Sequence, residues 1–199
     1  QLLADASVVV GATVESITPV DGGLRVTGQR EQSTFTEVFD RVVVATTATV
    51  ADTITAGLPD DMVDGTQREF LRSQRYAANV HVAFRIPRLS TDPGVNAIFP
   101  SGPGRHRLAA LSFHRAKAAN FDGQDHELVS VYLSDPESMR VMDWPEEKLA
   151  AHCLELGRTV YPELPAEAEI FHVHRRSEAI PVHEVGRYKS AVAFMEAQC

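Results

Sequence analysis

The residues best suited to chemistry are imidazoles on apparent strands. His81 stands in "NVHVAF", His114 in "LSFHR", and His172 and His174 in "FHVHRR". Tyr132, in "VSVYL", has the same setting. Alternation along a strand sends every second side chain to one face. If the strands pair in register, His81, His114, Tyr132 and His172 with His174 share a face. That face is either the watered side of a half-exposed sheet or the lining of a substrate cavity, and the sequence leaves both open. A metal is not expected. His172 and His174 alone are too few ligands for zinc, and no CxxC or HExxH supplies the rest. There is no GxSxG, so no nucleophilic serine is marked. Asp60-Asp61 and Glu146-Glu147 are explained by solvation and helix starts. No catalytic acid or base is assigned.

The elements that must position these residues are legible from periodicity. Residues 7–46 read as β, with Asp21-Gly22-Gly23 as a hairpin turn and "FDRVVVA" as a further strand. From Thr49 the period becomes helical, with Val50, Ile54 and Leu58 on one face. A second helix is expected over about Thr66 to Arg75, with Phe70 and Leu71 inward. "YAANVHVAFRIP" alternates strictly and ends at Pro87. "VNAIFP", "HRLAALSFHR" and "ELVSVYLS" predict three more strands, joined by short links that suit an antiparallel sheet. "MDWPEEKLAAHCLELGRTVYPELP" predicts a helix capped by Asp143, with Leu149, Cys153, Leu156 and Val160 on one stripe. "AEIFHVHRR" and "YKSAVAFMEAQ" close the chain as a strand and a helix. The apolar positions Val80, Val82, Phe84, Leu111, Phe113, Val129 and Val131 are expected to form one core with Leu149 and Leu156. Gly102-Pro103-Gly104 has no helix behind it and Pro103 lacks an N–H, so it predicts a turn rather than a phosphate cradle.

Composition bounds the function classes. The chain has 199 residues, 44% hydrophobic and 23% charged. These proportions befit a globular protein with a sizeable core. A net charge of −8 argues against nucleic acid and gives no reason to expect an anionic membrane as partner. Two cysteines, Cys153 and Cys199, make no disulfide framework and read as free thiols in a reducing compartment. No apolar run is long enough to span a bilayer and no signal peptide is evident, so a cytoplasmic location is expected. Both ends look like cuts inside a longer protein.

Three segments in order resemble the flavoprotein superfamily of FAD-dependent amine oxidases, protoporphyrinogen oxidases and phytoene desaturases. They are "VVVGATVESITPVDGGLRVTGQ…FDRVVVATTATVADTI", "FLRSQRYAANVHVAFRIPR" and "SEAIPVHEVGRYKSAVAFMEAQ". The first resembles the family's V-x-x-I, hairpin and D-x-V-V-x-A-x-P run, with Thr47 where the family has proline. The third resembles its A-x-P-x-x-x-x-G segment, with Arg176 at a position that is often aromatic. The resemblance implies an α+β fold: a β-ribbon from a dinucleotide-binding domain, a mostly antiparallel substrate sheet with packed helices, and a return. The divisions expected are residues 1–47, 48–180 and 181–199. It implies that Val14 meets the adenine, that Ala45, Thr46 and Thr47 lie beside the adenosine, and that Pro181 passes near the flavin ring. It implies FAD in a full-length parent that oxidises a C–N or C–C bond of an amine or apolar small molecule. The glycine-rich loop would lie upstream, so this chain alone is expected to hold no FAD and to be inactive. Its His81, His114, Tyr132 and His172 would face substrate. The rival is a non-enzymatic module holding an apolar ligand on a curved sheet. Oligomeric state is not readable.

Overall fold

The structure, a computed structural model, describes residues 6–90, 92–102, 106–117 and 125–197. In chain order the elements are β1 (Ala12–Val20), β2 (Gly23–Arg30), β3 (Ser33–Phe39), α1 (Ala48–Ile54), α2 (Gly65–Ser73), β4 (Tyr76–Pro87), β5 (Ala97–Ile98), β6 (Leu108–Phe113), β7 (His126–Leu133), α3 (Asp135–Val141), α4 (Glu146–Val160), β8 (Glu169–Pro181) and α5 (Arg187–Glu196). A short 3-10 segment, His114–Lys117, follows β6. The fold is α+β, with two sheets whose strand pairs are all antiparallel. It divides into two compact units, 1–74 with 183–199, and 75–182.

The first unit is a meander, β1-β2-β3. Val20 pairs with Gly23 across the two-residue turn Asp21-Gly22. Gly22 has a φ of 83°. A side chain there would strain the backbone. Ile17, Val26 and Ile54 form the small core of this unit, with Leu24, Phe35, Val42 and Leu58 against it. Helix α2 starts with a reciprocal cap. The Gln67 N–H donates to the Asp64 carboxylate at 2.8 Å. The Asp64 N–H donates to Gln67 Oε1 at 2.9 Å. The Arg187 guanidinium of α5 lies 3.7 Å from the centroid of the Phe70 ring. The same ring meets Phe194 at 4.5 Å. Such a cation over a ring face is attracted by the ring's quadrupole.

Several local expectations are corrected in this unit. Residues 7–11 and 40–47 are not strands, although both are valine-rich. A strand is held by ladder partners, and no described strand pairs with them. Val43 is 91% exposed. The buried stripe of α1 is Ala48, Ala51 and Ile54, so Val50 faces outward and the helix ends before Leu58. In α2 the buried residue is Gln67, drawn in by its capping role, while Phe70 and Leu71 are only half-buried.

The second unit is one five-stranded sheet in the order β5-β6-β7-β4-β8. The expected strand 76–87 is β4, which ends at Pro87, where a further ladder N–H is lost. Val80, Val82, Phe84, Leu111, Phe113, Val129 and Val131 are buried together against Leu149, Cys153 and Leu156 of α4, as their parity predicts. Each such large side chain contributes about 1.5–3 kcal/mol on burial. The sequence did not suggest α3. Its Ser138 hydroxyl accepts the Val80 N–H at 2.9 Å and its Asp135 carboxylate accepts the Ala78 N–H at 2.5 Å. Asp143 does not cap α4. The Trp144 N–H closes a turn onto the Val141 carbonyl, and Pro145 is the residue that precedes the helix. "VNAIFP" gives a strand of only two residues. Pro103 and Gly104 lie outside the described residues, as does Cys199.

Candidate functional site

The register of the five-stranded sheet determines which polar side chains meet. His81 of β4 is opposite Tyr132 of β7 on one side and His174 of β8 on the other. Cross-strand neighbours of this kind are close enough to interact. The three form a rung, with ring centroids 4.7 Å apart for His81 and Tyr132 and 5.1 Å for His81 and His174. Asn79 and Arg176, also register partners, form the next rung. Asn79 is fixed by donating its amide to the Leu133 carbonyl at 3.2 Å.

These rungs floor an open hollow of about 610 Å³. Phe99 and Ile180 stand on its border, 76% and 57% exposed, and Lys117 contributes a cation. Small side chains, Ala109, Ala110 and Ser112 of β6, leave the space open. His172 is outside the lining but joins it through His174, with Nε2 and Nδ1 3.1 Å apart. His114 stands aside too, its Nε2 2.8 Å from the Ser130 hydroxyl. Of the expected substrate-facing residues, His81 and Tyr132 therefore line the hollow, while His114 and His172 flank it. Asn79 and Arg176 were within reach of the same alternation, two residues from His81 and from His174. Phe99 and Lys117 needed the sheet order.

The charged form is disfavoured at His81, His174 and His114. Burial, then the charges of His174, His172, Arg176 and His114, lower His81 to about 4. Burial disfavours the charged ring, and neighbouring positive charge disfavours it further. Burial and then Arg176 and His172 lower His174. Burial and then Lys117 lower His114. His81 Nδ1 is buried without a hydrogen-bond partner among the described residues. No group of three or more His, Cys, Asp or Glu side chains among those residues is placed to hold a metal.

The sequence signature of a known family, described as flavin containing amine oxidoreductase, matches residues 1–189. The chain belongs to this family. No curated protein matches it. Among solved structures, a protein described as a putative protoporphyrinogen oxidase from Exiguobacterium sp. 255-15 superposes with a TM-score of 0.67 at 13% identity, over 94% of this chain and 38% of that one. A putrescine oxidase bound to putrescine gives 0.59 at 15% identity, over 92% and 39%. A reduced UDP-galactopyranose mutase gives 0.62 at 10% identity, over 95% and 39%. At these identities the likeness is one of fold. This amine oxidoreductase family chain thus spans under two fifths of the length of each of these relatives.

The flavin that the family description names can be tested against the residues present. Val14 is 36% exposed at an irregularity of β1, and Ala45 and Thr46 are exposed in the unpaired segment before α1. Thr47 precedes α1, its hydroxyl 3.1 Å from that of Thr49. Pro181 is exposed at the end of β8, opposite Tyr76. These surfaces are open to a base and a ribose. Nothing among the described residues is a glycine-rich turn leading into a helix, the device that holds a pyrophosphate. The described residues therefore offer surface for the adenosine end but not that pyrophosphate device. No described helix is long and apolar enough to cross a membrane.

Proposed function

We propose that this chain forms the substrate-facing sheet, and part of the adenosine-facing surface, of a longer FAD-dependent oxidoreductase that oxidises a C–N or C–C bond of a small molecule. The observation that carries the reading is the Tyr132–His81–His174 rung flooring an open hollow in a chain of a flavin-containing family. The flavin, when bound by the whole protein, accepts the hydride. This chain's residues shape and orient. Tyr132 and the neutral imidazoles offer hydrogen bonds without fixed charge, and Phe99 and Ile180 offer apolar surface. On this reading Val14 and Ala45, Thr46 and Thr47 face the adenosine, Pro181 lies toward the flavin ring, and His114 and His172 support the substrate face. The isolated chain is inactive and resides in a reducing, cytoplasmic setting, where Cys153 stays a buried free thiol.

In the flavin-bearing protein, His81→Asn and Tyr132→Phe are expected to raise KM by roughly three- to tenfold with flavin absorbance unchanged, as loss of a binding contact should. Loss of flavin with KM unchanged would move this sheet to the cofactor side. FAD added to the 199-residue chain is expected to give no saturable change in flavin fluorescence.

A further inference from the structure

We infer that the hollow takes an organic anion, an apolar molecule bearing a carboxylate, rather than an amine. The inference rests on the reading of the hollow as a substrate surface. It is carried by the inventory of charge. Arg176 and Lys117 line the hollow, and no carboxylate does among the described residues. In the same unit Arg85, Arg107, Arg115, Arg140 and Arg175 each have a carboxylate partner. Arg176 and Lys117 have none among the described residues, a condition they share with Arg88, Arg158 and Lys148; what sets the two apart is that both line the hollow. This patch of uncompensated cation stands on a chain whose net charge is −8, so it is not a sample of the average surface.

A protonated amine entering here meets cations and, among the described lining residues, no carboxylate. A carboxylate meets the guanidinium of Arg176, whose planar fork suits two oxygens. The Asn79 amide is already committed to the Leu133 carbonyl, which leaves Arg176 as the anchor on that rung. The border of Phe99 and Ile180 would receive the apolar body. The same positive field is felt by His81, whose titration burial, the neighbouring histidines and Arg176 depress.

The test compares two probes of one carbon skeleton and opposite charge, 4-phenylbutanoate and 4-phenylbutylamine. Each is titrated at neutral pH into the 199-residue chain while the histidine ring signals are followed by NMR. The acid is expected to shift His81 and His174 saturably, with a Kd at least about tenfold below that of the amine, the size of one charge-assisted contact. Arg176→Gln, at an exposed position where folding is not at stake, is expected to weaken the acid by about tenfold and leave the amine unchanged. Lys117→Gln is expected to act in the same direction to a smaller extent. Equal or tighter binding of the amine at these rings would overturn the inference and leave the substrate surface standing, as would acid binding indifferent to Arg176→Gln. Silence of the rings toward both probes would overturn the inference and the substrate surface together.

Discussion

The two faces of β4 are built from alternate residues of one strand and have opposite fates. Val80, Val82 and Phe84 are fully buried under α3 and α4. His81 and Arg85, between and beyond them, stay partly open, and His81 joins the ring rung. Backbone geometry is common to both faces, so the difference lies in what covers each. The apolar face is covered by helices whose own stripes are apolar, and the hydrophobic effect drives that pairing. The polar face is left with a hollow because β6 offers it alanines and serine. One face therefore carries stability and the other is free to carry specificity.

The largest loss is expected from emptying the buried face. Phe84→Ala is expected to cost roughly 3–5 kcal/mol, through lost burial and the cavity left behind. His81→Ala, three positions before it on the open face, is expected to cost under about 1.5 kcal/mol, as for a half-exposed site. Denaturant midpoints of the two variants measure the contrast. Equal losses would mean that the ring rung is structural.

A smaller effect is expected at the polar staple over the same face. Buried Glu137 of α3 lies 2.5 Å from His152 Nε2 of α4 and is paired with Arg140 and Arg107. The Arg140 hydrogen bond, with that of His152 and the charge of Arg107, outweighs burial and holds its carboxyl at about 2. Hydrogen bonds and cations that favour the charged form act in this direction. A carboxyl depressed by folding stabilises the fold above its ordinary value of 4.5 and loses that contribution as pH falls toward 2. Glu137→Gln is expected to cost on the order of 2 kcal/mol near neutral pH, discounted for the half-exposed arginines. It is also expected to flatten the stability profile between pH 4.5 and 2. Chemical denaturation at a series of pH values reads both.

The smallest effect sharpens the other side. His81, lowered to about 4, is expected to remain neutral from pH 8 down to about 5 while a solvent-exposed histidine titrates normally. Its folded-state value lies below the unfolded one, so it favours the fold above the ordinary 6.5 and loses that support as pH falls through 4. Arg176→Gln is expected to move the midpoint upward, since that guanidinium is one of the depressing charges. NMR titration of the ring provides the reading. An unmoved midpoint would detach Arg176 from the hollow.

Alternation and turn chemistry determine much of this protein from the chain alone. The bounds of β4, the core parity of β4, β6 and β7, the stripe of α4 and the hairpin at Asp21-Gly22 follow from local rules. A side chain's face is set by its position along its own strand or helix. The ordered flavoprotein motifs were equally a property of the chain alone, and the family match covers residues 1–189 of it. What lay beyond the sequence depends on partners distant along the chain. Whether "RVVVA" is a strand is decided by a neighbour to pair with, and Val43 and Val44 stay exposed without one. Whether Asp143 caps a helix was decided by the turn after α3, a helix whose short polar sequence carries no strong period. The sheet order β5-β6-β7-β4-β8 brought Tyr132, His81 and His174 into one rung and put Lys117 and Phe99 around them. Register between strands is long-range information, fixed by tertiary packing, and the site is made of it.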